Sequence, residues 1–112
     1  MKVIEVGNKE YEIKFTINTL CRMEADGLRV MKLEEIIDNI SFTMIRKLFF
    51  YGLKDSVGKS LTENKAGDMM DEYLQENDYN ELMTVLIGEL AKSLGYDIDE
   101  KLEQNKNEEA GE

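Results

Sequence analysis

The most apolar run in the chain extends from Ser41 to Leu53, SFTMIRKLFFYGL. Wound at 100° per residue, Phe42, Met44, Ile45, Leu48, Phe49, Tyr51, Gly52 and Leu53 fill one arc of about 200°, much wider than the stripe of a helix lying on a surface. Such a helix needs cover on more than one side, so residues 42–54 are expected at the centre of the fold, with Ser41 as N-cap. The remaining sector holds Thr43, Arg46, Lys47 and Lys54, with Phe50 among them. Gly52 falls on the apolar side, where glycine costs about 1 kcal/mol relative to alanine in a helix interior. Either a neighbouring backbone comes close there, or the helix is ending.

Two alternating runs, Lys2 to Val6 and Lys9 to Phe15, flank Gly7-Asn8, a pair suited to a type II′ hairpin turn. Tyr11, Ile13 and Phe15 share one face of the second run and need a core. A lone two-stranded hairpin is marginal in water, so this one must lie on the helices or add to another sheet across a subunit boundary. Thr16 can cap a first helix with Ile17, Leu20, Cys21 and Met23 inward, stopping by Gly27. Leu33, Ile36, Ile37 and Ile40 keep helical spacing in a short second helix, and Asp55 to Leu61 is rich in turn formers and reads as a loop.

Thr62 is the next N-cap, followed by a narrow stripe of Ala66, Met69, Met70, Tyr73 and Leu74 on an otherwise acidic helix. Asn77-Asp78 breaks that pattern, and Asp78 with Glu81 resembles a capping box. Tyr79, Leu82, Met83, Leu86, Leu90 and Leu94 then line one face of the last helix, which Gly95 and apolar Tyr96 can close as a Schellman motif. The expected class is mainly α (α+β): an N-terminal hairpin within 1–15, then four to five helices packed around the central one, as a single domain over 1–96. Residues 97–112 are expected to form a disordered acidic tail, too poor in apolar residues to offset the entropy of ordering.

Charge narrows the partners. Formal net charge is −10, with 24 acidic and 14 basic residues. Phosphate contacts need clustered Lys and Arg, so nucleic-acid binding is not expected. Residues 63–81 carry seven acids and one base, and 97–112 carry seven acids and two bases, which leaves the rest of the chain near neutrality. Solvated faces and a soluble tail account for this pattern, as does steering toward a basic partner. No apolar run has the length of a signal-peptide core or a membrane span. The lone Cys21, spaced with Ile17 and Leu20, is expected to be a buried, inert thiol.

Catalytic chemistry is conspicuously short of parts. The chain has no histidine, which removes Ser-His-Asp and Cys-His machinery and the usual zinc ligand beside cysteine. Adjacent carboxylates such as Glu34-Glu35, Asp71-Glu72 and Glu108-Glu109 diverge by about 100° on a helix and do not converge on one atom. Asp97 to Glu100 lacks the glycine and the later glutamate of a calcium loop. Gly58-Lys59-Ser60 fails as a phosphate-binding loop, because Leu53 stands where its first glycine is required. No enzyme activity, cofactor or metal is expected.

What remains is interaction surface. Phe50, ringed by Arg46, Lys47 and Lys54, is either an aromatic anchor on the one basic face or a residue covered by the hairpin or the short helix. Among the seven methionines, Met69, Met70 and Met83 suit an adaptable apolar groove, or simple core filling. Arg46, Lys47, Phe50, Lys54, Met69 and Met70 are the candidate partner-binding residues.

The order and texture of the segments KEYEIKFTINTLCRMEADG, MIRKLFFYGLKDS, LTENKAGDMMDEYLQEN and ELMTVLIGELAKSLG, closed by a charged tail, resemble the tail assembly chaperones of long-tailed bacteriophages and prophages of Gram-positive hosts. The resemblance spans about residues 1 to 95 and carries no sharp motif, so no binding residue is transferred by it. It implies a non-enzymatic factor in the host bacterial cytoplasm, absent from the mature virion, which binds the tape measure protein and helps recruit tail tube protein. It also implies self-association, and in related systems a longer form made by ribosomal frameshifting. A structural tail or capsid subunit and an acidic inhibitor or DNA mimic are the alternatives.

Overall fold

The computed structural model describes residues 2–96. The expected tail, the Asp97–Glu100 motif and the Glu108-Glu109 pair lie outside the described residues. The chain forms strands β1 (Lys2–Val6) and β2 (Lys9–Ile13), then helices α1 (Ile17–Ala25), α2 (Leu33–Asp38), α3 (Phe42–Val57), α4 (Glu63–Tyr73) and α5 (Tyr79–Ser93). This is the α+β hairpin-plus-helices architecture that the sequence predicts.

The two strands pair antiparallel with Val6 opposite Lys9 and Lys2 opposite Ile13. Gly7 has φ of +63° and Asn8 stays at negative φ, as a type II′ turn requires. Ile4, Val6, Ile13 and Phe15 are buried, so the hairpin lays its apolar face on the helices. α3 receives it, and Ile45, Leu48, Phe49, Tyr51, Gly52 and Leu53 of that helix are all buried. β2, α4, α5 and α1 all pack against α3, while β1 packs on α4. The wide apolar arc of α3 is therefore covered from several sides, as its width demands.

Gly52 is the point of closest approach. Its carbonyl accepts the Lys14 N–H at 2.9 Å. A Cβ there would stand 3.1 Å from Ile13 Cγ2 and 3.2 Å from Phe15 Cζ, so a larger residue must displace side chains that the core holds fixed. Side-chain caps begin four of the helices: Thr16 accepts from the Thr19 N–H, Ser41 from Met44, Thr62 from Lys65 and Asp78 from Glu81. α5 ends with Tyr96 N–H on the Ala91 carbonyl and Gly95 N–H on the Lys92 carbonyl, the Schellman pattern. α1 ends in the same way, through Gly27 and Leu28.

Three details differ from the sequence reading. Cys21 is exposed, and Ile17 is 72% exposed; α1 instead buries Thr19, Leu20 and Met23. A helix of nine residues has too few turns to choose its own face, and the chain entering from buried Phe15 sets its azimuth. Thr19 tolerates full burial because its hydroxyl hydrogen-bonds the Thr16 hydroxyl at 2.9 Å. Second, α3 continues through the expected loop as far as Val57. Ser56 there meets the hairpin, accepting the Glu12 N–H at 3.2 Å, and Asp55 meets the N-cap of α1, with the Thr16 hydroxyl donating to its Oδ2 at 3.5 Å. Third, Phe42 lies in the apolar arc yet is 77% exposed, because it occupies the first position of α3 and overhangs the core.

Replacing Gly52 tests the seat of the hairpin. Gly52→Val is expected to lower unfolding free energy by about 2 kcal/mol through overpacking against Ile13 and Phe15. Gly52→Ala should stay within about 1 kcal/mol of the parent, since better helix propensity opposes a smaller clash. Urea titration followed by circular dichroism measures both, and hydrogen exchange at the Lys14 amide reports loosening of the hairpin directly.

Candidate functional site

The basic face proposed on α3 is present, but its charges are already engaged within the protein. Arg46 Nη2 lies 3.7 Å from Glu63 Oε2, and Lys47 Nζ lies 3.4 Å from Asp26 Oδ2. Lys54 Nζ donates to the Leu61 carbonyl at 2.9 Å and sits 5.1 Å from the centroid of the Phe50 ring. Phe50 is half-buried and meets Tyr51 edge to face, with centroids 5.0 Å apart. Its ring is thus supported by residues of its own helix. Partly exposed ion pairs of this kind contribute about 0.2 to 1 kcal/mol each, so they fix side chains more than they hold the fold.

Tyr51 ties this face to the end of α1. Its hydroxyl donates to Asp26 Oδ2 at 2.9 Å. That hydrogen bond, together with the Lys47 ammonium, holds the Asp26 carboxyl below its ordinary value. Burial, reinforced by the neighbouring Asp26 charge, pushes the Tyr51 phenol up to about 12.

A second feature lies on the adjacent strip of α3. Phe42, Thr43 and Arg46 form one wall of a groove of about 290 Å³, and Gly67, Met70, Asp71 and Leu74 form the other, with Tyr79 closing it from α5. The exposed Phe42 ring stacks edge to face on Tyr79 at 5.3 Å. Gly67 makes room for the arm of Arg46, since a Cβ there would sit 3.2 Å from Arg46 Cδ. Arg46 Nε–H is buried with no hydrogen-bond partner among the described residues.

Of the candidate residues, then, the structure brings Arg46 and Met70 together in this groove. Lys47, Phe50 and Lys54 stand on the neighbouring strip, and Met69 is half-buried against the core. Phe42, Leu74 and Tyr79 were not foreseen as site residues. The available signal was the position of Phe42 directly after a capping serine, where no preceding helical turn exists to cover it.

Among the described residues, no group of three Cys, Asp or Glu side chains converges to hold a metal ion. Glu89 of α5 is a buried carboxylate and pairs with Lys92 at 3.8 Å. No described helix is long and apolar enough to cross a membrane. Comparison with protein-family models, curated proteins and solved structures finds no match to this chain.

The Tyr51 phenol predicts an alkaline dependence of stability. The unfolded chain ionises it near 10, whereas the folded protein keeps it neutral until about 12. Its stabilising contribution is therefore complete below pH 10 and is lost between pH 10 and 12, by on the order of 2 kcal/mol. Tyr51→Phe should cost about 1 kcal/mol at pH 7 through the lost hydrogen bond, and should flatten the decline above pH 10. Tyr73 and Tyr79, also raised by burial, keep a residual slope. Urea unfolding across pH 7 to 12 measures each effect.

Proposed function

We propose that this protein is a non-catalytic tail assembly chaperone of a long-tailed bacteriophage or prophage, acting in the host bacterial cytoplasm. Its client is the tape measure protein, whose helical apolar segments are exposed until the tail tube encloses them. In this reading it also helps recruit tail tube subunits, associates with its own copies, and is left out of the finished virion. The sequence resemblance motivates the proposal, and one structural observation carries it: a large aromatic side chain, Phe42, stands 77% exposed at the mouth of an apolar groove.

Such a groove suits an amphipathic helix laid along it with apolar residues at i, i+3, i+4 and i+7. Covering Phe42 alone is worth about 2 kcal/mol in apolar burial. Leu74, Met70 and Tyr79 supply the apolar floor, and methionine adapts to unlike side chains. The net charge of −10 keeps a complex with an apolar client in solution. Release to the tube requires modest affinity, and a micromolar constant corresponds to about −8 kcal/mol.

Co-expression with the long, helix-rich product of the neighbouring gene tests the proposal. The parent protein should keep that product soluble and be recovered with it in a pull-down. Phe42→Asp should leave the urea midpoint nearly unchanged, because the side chain is exposed, and should weaken recovery at least tenfold. An aggregated client despite the parent protein, or equal recovery by Phe42→Asp, removes the groove from this role. Mass spectrometry of purified virions should find none of the protein, and many copies there would make it a structural subunit.

A further inference from the structure

A separate groove, of about 640 Å³, lies beside α2 and is lined by Met31, Leu33, Ile37 and Tyr96 together with charged residues of the same helix. Three of its apolar members are exposed: Met31 by 73%, Tyr96 by 45% and Ile37 by 44%. The helix itself is six residues long and buries only Ile36, so Ile37 is surplus to the core. Spacing arranges its outer surface in two adjacent strips. Leu33 and Ile37, four residues apart, form an apolar strip, and Glu34 and Asp38, again four apart, form an acidic strip beside it.

Glu35 is paired with Arg29 at 3.5 Å, whereas neither Glu34 nor Asp38 makes an ion pair among the described residues. Lys32 is the one cation in the lining. Charge decides what can settle here. The sequence that follows Tyr96, with seven acids against two bases, is no electrostatic match for this strip. The α2 strip of a second copy carries the same two carboxylates and is repelled here as well.

We propose that this groove is a docking surface for a basic amphipathic helix of a partner polypeptide. The apolar stripe of that helix lies on Leu33, Ile37, Met31 and Tyr96. Lysines or arginines spaced four apart along one flank face Glu34 and Asp38. The inference is independent of the tail-chaperone reading and of the Phe42 groove.

A synthetic helical peptide of leucine and lysine, with leucines on one face and lysines on its flanks, serves as probe against the full-length, nitrogen-15-labelled chain. Addition of the peptide should move the amide resonances of residues 31–39 and Tyr96 and leave those around Phe42 in place. By fluorescence anisotropy, Ile37→Asp and the double variant Glu34→Lys, Asp38→Lys should each weaken binding at least tenfold, with unchanged circular dichroism. Phe42→Asp should bind the peptide as the parent does, and a glutamate-for-lysine version of the peptide should not bind. Equal affinity for the parent and both α2 variants would place the peptide on the acidic stretch by charge alone and overturn the proposal. So would the absence of binding, or shifts centred on the Phe42 groove.

Discussion

The fold depends on one contact where a side chain has little room. A two-stranded hairpin is not stable in water by itself, and a helix as apolar as α3 is not stable uncovered. Each solves the other's problem where Lys14 N–H meets the Gly52 carbonyl and where Ile13 and Phe15 come within 3.2 Å of the position a Cβ would take. Glycine costs about 1 kcal/mol at that helix position, whereas full burial of Ile13 and Phe15 is worth about 2 kcal/mol each. Glycine therefore costs less at this position than a side chain large enough to lift the hairpin off α3. Ser56 extends the seat by hydrogen-bonding the hairpin from the last turn of the same helix, and Asp55 does so for the N-cap of α1 that follows it.

What could be read from the sequence was whatever is decided locally or by strong periodicity. Ser41, Thr62 and Asp78 act as caps because capping needs only the residue and the amide three positions on. Gly7-Asn8 sets its turn for the same reason, and the wide arc of α3 and the face of α5 follow from many apolar positions that agree. The misread positions are those where few residues vote or where another element has the deciding contact. Ile17 and Cys21 point outward because the hairpin exit fixes α1. Asp55 and Ser56 remain helical because their side chains find partners in the α1 cap and the hairpin, which a local reading of turn formers does not register.

The candidate site was legible only in part for a related reason. Arg46, Lys47 and Lys54 were recognisable as a basic strip, but their acceptors, Glu63, Asp26 and the Leu61 carbonyl, come from other segments, and no spacing rule links them. Once those charges are matched, the outward field of the protein is more uniformly negative than the sequence suggests. Apolar surface then becomes the distinguishing feature; among the described residues it lines grooves around Phe42 and around Ile37, while Val3 and Ile17 are exposed elsewhere. Both grooves lie at helix beginnings or on a short helix, where the core has no further use for an apolar side chain.

The exposed thiol of Cys21 has a consequence for how copies of the chain meet one another. A buried sulfur is inert, but one on the outer side of α1 can be oxidised by air, and with no other cysteine in the chain the only disulfide open to it joins two molecules. In a reducing cell such pairs do not persist. Outside it, a covalent dimer can form at α1 whatever the protein's native association, so the apparent size of the particle becomes a function of the redox state of its buffer.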